Sequence, residues 1–127
     1  MMAMLVSIVT PSFNQASFLE ATIQSVLDQD YPQIEYSIVD GGSSDGSLDI
    51  IRSYANRLAW WVSEPDQGQT DAINKGFSHS SGQILAWINS DDTYQPGAIS
   101  QAVKFLEAHP DVGMVYGDAN FIDGSGK

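Results

Sequence analysis

Apolar residues fall into two alternating patterns along the chain. Short runs rich in β-branched and aromatic residues read as buried strands: Leu5–Thr10, Glu35–Asp40, Leu58–Ser63, Gln83–Asn89 and Val112–Tyr116. Between them, apolar positions recur every three or four residues, as on one face of a helix. Leu19, Ile23, Val26 and Leu27 make the first such face, and Leu48, Ile51, Tyr54 and Ala55 the second. Ile73 and Phe77 sit one turn apart in a third helix, Thr70–Ser80, and Ile99, Val103 and Leu106 face inward from a fourth. Punctuation residues agree. Ser17-x-x-Glu20 has the spacing of a capping box, Asp30-Tyr31-Pro32 closes the first helix, Ser47 is placed to cap the second, and Pro96-Gly97 opens the fourth. Strands joined in this way by crossover helices predict a parallel, doubly wound α/β sheet in a single domain over residues 1–127.

Ligands of such folds sit at the carboxyl ends of the strands, where the strand order reverses. The segments to inspect are Thr10–Asn14, Asp40–Gly46, Glu64–Asp71, Asn89–Thr93 and Gly117–Asp118, and all but the first carry an acid. No G-x-x-x-x-G-K-[ST] run is present, so a P-loop is excluded, and no G-x-G-x-x-G follows the first strand, which weakens a dinucleotide-binding reading. Pro11 also removes a backbone N–H that such a cradle would use. Asp91-Asp92 follows the fourth strand. Adjacent carboxylates at a strand end suit a hard divalent cation whose other ligands are substrate phosphates, and they equally suit a turn before Pro96-Gly97. Asp40 before Gly41-Gly42 can be a turn residue, and Asp71 can simply favour the first turn of its helix. Adjacent Trp60 and Trp61 must point to opposite faces of the sheet. His79 and His109 fall at helix ends, and Lys75 reads as a surface helix residue that could also reach a phosphate.

Composition narrows the function classes. The 127 residues carry a net charge of −11, with 5 basic and 16 acidic side chains, so nucleic acid and anionic lipid would be repelled. An anionic diphosphate remains possible if a metal bridges it to the protein. With no cysteine, disulfides, thiolate zinc sites and cysteine nucleophiles are excluded, which fits a cytoplasmic setting. No apolar run is long enough to span a membrane, and Met1-Met2-Ala3-Met4 lacks the features of a secretory signal.

Four segments in order carry a resemblance: Val-Ser-Ile-Val-Thr-Pro-Ser-Phe-Asn, Val-Asp-Gly-Gly-Ser-Ser-Asp-Gly-Ser, Asp-Gln-Gly-Gln-Thr-Asp-Ala-Ile-Asn-Lys-Gly and Asn-Ser-Asp-Asp. From about Leu5 to Asp118 the chain resembles the nucleotide-sugar-binding part of family 2 glycosyltransferases. That implies a Rossmann-like GT-A fold, a mainly parallel sheet flanked by helices, of which the chain carries the N-terminal, donor-binding part. It implies inverting, metal-dependent transfer from a nucleotide-diphosphate sugar, a UDP-sugar by preference, to a saccharide or lipid-linked saccharide hydroxyl. Thr10 and Pro11 would border the nucleoside, with Asn14 nearby, and Asp40 would accept the N3–H of uracil. Asp66, Gly68 and Asp71 would lie near the base and phosphates, Asp91 would hold the ribose, and Asp92 would ligate magnesium or manganese. Many members have Asp where this chain has Asn89, which removes one charge beside the metal. The catalytic base is expected beyond residue 127; neither Asp118 nor Asp123 matches it. Membrane association would have to come from parts outside this chain. Two alternatives remain: a non-catalytic nucleotide or nucleotide-sugar binding module, and a receiver-type phosphoacceptor. Pro11-Ser12 stands where the latter needs acids.

Overall fold

A computed structural model describes residues 4–109. Four strands form one parallel sheet: β1 (Val6–Ser12), β2 (Ile34–Asp40), β3 (Trp60–Ser63) and β4 (Ile84–Trp87). Their spatial order is β3-β2-β1-β4. The helices are α1 (Ala16–Leu27), α2 (Ser47–Ser53), α3 (Gln69–Ser78) and α4 (Ala98–Ala108), with a single 3₁₀ turn at Ala55–Arg57. The expected strand Val112–Tyr116 and the segment Gly117–Asp118 lie outside the described residues. No helix among the described residues is long and apolar enough to cross a membrane.

Strand alternation divides the core into two layers. Val6 and Ile8 of β1, Tyr36 and Ile38 of β2, and Ile88 just past β4 pack with α1, α2 and α4 through Leu19, Ile23, Val26, Ile51, Ile99 and Val103. Val9 and Val39 point the other way and pack on Ala72 of α3. The two tryptophans split as alternation requires. Trp61 joins the first layer and Trp60 the second, where its ring stacks on His79. His79 and His109 do end α3 and α4, each with Nδ1 within hydrogen-bonding distance of the carbonyl four residues back.

Small residues set the distance between α3 and the sheet. The fully buried positions of α3 are Ala72 and Gly76, while Phe77 is partly buried against the same layer. A methyl group on Gly76 would stand 2.4 Å from Cγ1 and 2.6 Å from Cγ2 of the fully buried Val9. Val9 is β-branched and cannot turn aside cheaply. Gly76→Ala is therefore expected to lower the unfolding free energy by about 1–3 kcal/mol, read as a lower urea midpoint at unchanged m-value, despite alanine's better helix propensity.

Two helix starts differ from the sequence expectation. The Ser17–Glu20 box does not cap α1: Gln15 is the N-cap residue and makes no side-chain capping bond. The Ala16 N–H instead donates across the fold to Asp45 Oδ2 at 2.9 Å. Ser47 does not cap α2 either. Gly46, in a left-handed conformation with φ of 101°, takes the cap position, and the Ser47 N–H and hydroxyl both donate to Asp45 Oδ1. One carboxylate thus serves two helix starts, and these hydrogen bonds, led by that from Ala16, hold the Asp45 carboxyl below its ordinary range.

β1 also runs two residues further than expected, through Pro11 to Ser12. Parallel pairing gives the reason. Val6 N–H bonds to Gln33, and the Ser12 carbonyl accepts from Gly41, so even-numbered residues of β1 face β2. Val9 faces β4, its carbonyl accepting from Ile88, and so does Pro11 two residues on. The missing N–H of Pro11 leaves the β1–β2 ladder intact and stops the β1–β4 ladder after Val9↔Trp87. The two strands part there, which opens the sheet at its carboxyl edge.

Candidate functional site

The gap between β1 and β4 is the topological switch point. β1, β2 and β3 succeed each other in one direction, and the chain then returns past β1 to lay down β4. A cleft of about 540 Å³ lies at the carboxyl ends of these strands. Pro11, Ser12, Phe13 and Gln15 line it from the end of β1, and Gly41 from the end of β2. Pro65, Asp66, Gly68, Gln69 and Ala72 line it from the loop before α3 and that helix's first turn; Asn89, Ser90 and Asp91 do so past β4. Asp66 and Asp91 are acids, and no Lys, Arg or His lines the cleft among the described residues. Its carboxylates accept hydrogen bonds and repel bare anions, while the Ser12 and Ser90 hydroxyls and the Gln15, Gln69 and Asn89 amides can also donate.

The residues read from the sequence separate into two groups. Pro11, Asp66, Gly68 and Asp91 line the cleft. Thr10, Asn14, Asp40 and Asp71 do not, and their contacts show what they do instead. Thr10 is buried inside β1, its hydroxyl bonded to that of Tyr36 at 2.7 Å. Burial raises the Tyr36 phenol above its ordinary pKa, so this pair stays neutral.

Asp40 has 0% exposure and a full set of internal partners. Oδ2 accepts from the N–H groups of Gly42 (3.1 Å) and Ser43 (2.8 Å) and from the Ser63 hydroxyl (2.8 Å), while Oδ1 accepts from the Ser43 hydroxyl (2.6 Å). These bonds hold the β2–α2 loop and β3, and Asp40 does not line the cleft. Asn14, with φ of 52°, extends this network. Its N–H donates to Ser43 Oγ at 2.8 Å, and its side-chain carbonyl accepts from the Ser44 N–H at 2.9 Å. Asp40 and Asn14 together shape the loop that carries Gly41 to the cleft wall.

Asp66 stands opposite Gly41. A side chain at Gly41 would begin 3.1 Å from Asp66 Oδ2, so the carboxylate occupies the space that glycine leaves. Asp66 Oδ1 also accepts the Gly68 N–H at 2.9 Å. Asp71 accepts the Gln67 N–H at 2.9 Å and lies 3.8 Å from Lys75, which in turn is 3.3 Å from Glu64. Lys75 is thus held by acids outside the cleft.

Past β4, Asn89 accepts a hydrogen bond from the Gln69 side-chain amide, tying this turn to the start of α3. Asp91 and Asp92 are exposed, and neither carboxylate has a hydrogen-bond or ion-pair partner among the described residues. The backbone beneath them is firmly held. The Asp92 N–H donates to the Asn89 carbonyl at 3.0 Å, and the Asp92 carbonyl accepts from the buried Thr22 hydroxyl at 2.5 Å. Ser25 Oγ takes the Tyr94 N–H, while Gln29 bonds both the Gln95 carbonyl and the Ile99 N–H. Thr22, Ser25 and Gln29 recur at helical spacing, so one stripe along α1 and the two residues past its end positions the acidic loop. The sequence reading missed this stripe; its signal is three polar residues at i, i+3 and i+7 beside an apolar face.

A metal has few protein ligands on offer here. Among the described residues no three acidic or histidine side chains converge as a ligating group. The free carboxylates of Asp91 and Asp92 match a cation that takes one or two protein oxygens and completes its shell with phosphate and water.

A parallel four-stranded sheet flanked by helices, opened at its switch point, is the architecture of the GT-A fold. The chain belongs to glycosyl transferase family 2, whose family model matches residues 7–125. It is 38% identical over 114 residues to an uncharacterized glycosyltransferase of Mycobacterium tuberculosis, covering 88% of this chain and 44% of that protein. It is 34% identical over 122 residues to a PGL/p-HBAD biosynthesis glycosyltransferase of Mycobacterium bovis, covering 93% and 48%. The chain thus spans less than half the length of these relatives. Among solved structures, the Pyrobaculum calidifontis mannosyltransferase PcManGT in complex with GDP-Man and Mn2+ matches at a TM-score of 0.80 and 30% identity, covering 88% of this chain and 34% of that one. Staphylococcus aureus TarS residues 1–349 with UDP-GlcNAc matches at a TM-score of 0.76 and 24% identity, covering 84% and 32%, a likeness of fold.

Proposed function

We propose that this chain is the donor-binding part of a glycosyltransferase that moves a sugar, with inversion, from a nucleotide diphosphate to an acceptor hydroxyl on a saccharide or lipid-linked saccharide. The observation that carries the reading is the acidic cleft at the switch point, without Lys, Arg or His among its described lining residues, continuous with the loop whose acids Asp91 and Asp92 have no partner among the described residues. The cleft carboxylates suit the N–H of a base and the hydroxyls of a ribose. They do not suit a diphosphate unless a divalent cation accompanies it. The complexes of the two structural neighbours, with GDP-Man and Mn2+ and with UDP-GlcNAc, support the same ligand class.

In this reading Asp66 takes the base N–H role that the sequence suggested for Asp40, and Asp40 is a positioning residue. Pro11 and Gly68 border the nucleoside, and Asp91 accepts from the ribose hydroxyls. Asp92 would hold magnesium or manganese, which when bound offsets charge on the leaving diphosphate. Asp66 and Asp91 both serve the donor, so neither is assigned as the base that takes the acceptor proton.

Thermal unfolding of the chain with UDP, GDP or ADP, each with and without manganese, tests this. Ligand at 100 times its Kd adds about 2.7 kcal/mol, a rise on the order of 10 °C for a domain of this size. The expected result is a rise with UDP that needs manganese. A rise with GDP instead would transfer the donor class to GDP-sugars, and no rise with any nucleotide would overturn the reading.

A further inference from the structure

Buried hydroxyls in this fold are almost uniformly satisfied. Thr10 bonds Tyr36, Thr22 bonds the Asp92 carbonyl, Ser47 bonds Asp45 and Ser7 bonds Glu35. Ser12 is the exception: it is 5% exposed, and its Oγ is the buried side-chain polar atom without a partner among the described residues. It ends β1, and it lines the cleft. A buried hydroxyl left unpaired costs stability, so such an atom beside a ligand cleft points to a partner the protein does not itself supply.

We propose that the Ser12 hydroxyl is a ligand contact, bonding an uncharged oxygen of the nucleoside, on base or ribose, rather than a phosphate oxygen. This rests on the donor-binding reading above and deepens it. The surroundings of Ser12 favour the neutral group. Its carbonyl holds the Gly41 N–H at 2.8 Å, and Gly41 faces the Asp66 carboxylate. A phosphate placed at this corner would meet a carboxylate with no Lys, Arg or His among the described lining residues to offset it. A nucleoside instead presents acceptor oxygens beside N–H or O–H donors, which matches a hydroxyl that can donate next to a carboxylate that can only accept.

The test compares Ser12→Ala with the parent chain by calorimetric titration of uridine, and of UDP with manganese, together with the melting temperature of the free proteins. The expected result is weaker binding of both ligands, on the order of fivefold to tenfold, with a free-protein melting temperature that is unchanged or higher. A hydroxyl that served only the fold would lower that temperature and leave affinity alone, which would overturn the proposal. A loss confined to UDP would overturn the nucleoside assignment. Should the alanine variant fold poorly, Ser12→Cys puts a slightly larger group with a much weaker donor there, and unchanged affinity would overturn the proposal too. Parent protein that binds neither ligand would overturn the donor-binding reading and this proposal with it; parent protein that binds, with variants that bind equally well, would overturn the proposal alone.

Discussion

Replacing Asp92 by asparagine is expected to abolish manganese-dependent nucleotide binding and leave the fold almost untouched. The two effects separate because the side chain and backbone of this residue do different work. The carboxylate is exposed and bonds nothing among the described residues, whereas the backbone is held by the Asn89 carbonyl and the Thr22 hydroxyl. Neither tether involves the side chain, so stability should change by no more than about 0.5 kcal/mol. The amide keeps the shape and loses the charge, and a hard cation with so few protein ligands tolerates that loss poorly. Manganese affinity in the presence of UDP should fall on the order of 100-fold, given that even groups supporting a metal ligand are worth 10- to 100-fold. Calorimetric titration of manganese into the chain with UDP reads this directly, while uridine binding without metal should persist. Undiminished manganese dependence would remove Asp92 from the metal role.

Asp40→Ala should behave in the opposite way, with a large loss of stability and loss of binding as its consequence. Four donors converge on a fully buried carboxylate. Hydrogen bonds to charged groups contribute about 1.5–3 kcal/mol each, but the two serine hydroxyls can turn toward other partners and the loop end can reach water. The net cost should be about 3–4 kcal/mol, a large share of the 5–15 kcal/mol that holds a domain of this kind together. Urea unfolding monitored by tryptophan fluorescence measures it. Uridine affinity should fall as well, because the same carboxylate shapes the loop that brings Gly41 to the cleft wall. A stability change below about 1 kcal/mol would contradict the positioning role. Full stability with lost affinity would restore the direct base contact.

These variants also separate what local pattern carries from what it does not. The alternation of Val6, Ile8 and Val9, and of Trp60 and Trp61, places each side chain in its layer before any contact is known. The spacing of Leu19, Ile23 and Val26 does the same for α1. The order of strands and helices then puts Pro11, Gly41, Asp66 and Asp91 at one end of a parallel sheet. Helix starts were less legible. Ser17 and Ser47 have the right chemistry and spacing for caps, yet Asp45, distant in sequence from Ala16, serves both ends. Capping needs only an acceptor in reach, and reach is a property of the folded chain.

The sequence by itself determined the fold class, the position of the cleft and the candidate acids, because periodicity and turn residues act over a few neighbours. Tertiary structure decided which acid lines the cleft and which is sealed. It buried Asp40 among four donors, left Asp66 open across from Gly41, aimed the Thr22–Ser25–Gln29 stripe at the acidic loop, and left Ser12 without a partner among the described residues. Burial and hydrogen-bond satisfaction depend on groups that meet only when the strands are laid side by side, so no local reading could have told these residues apart.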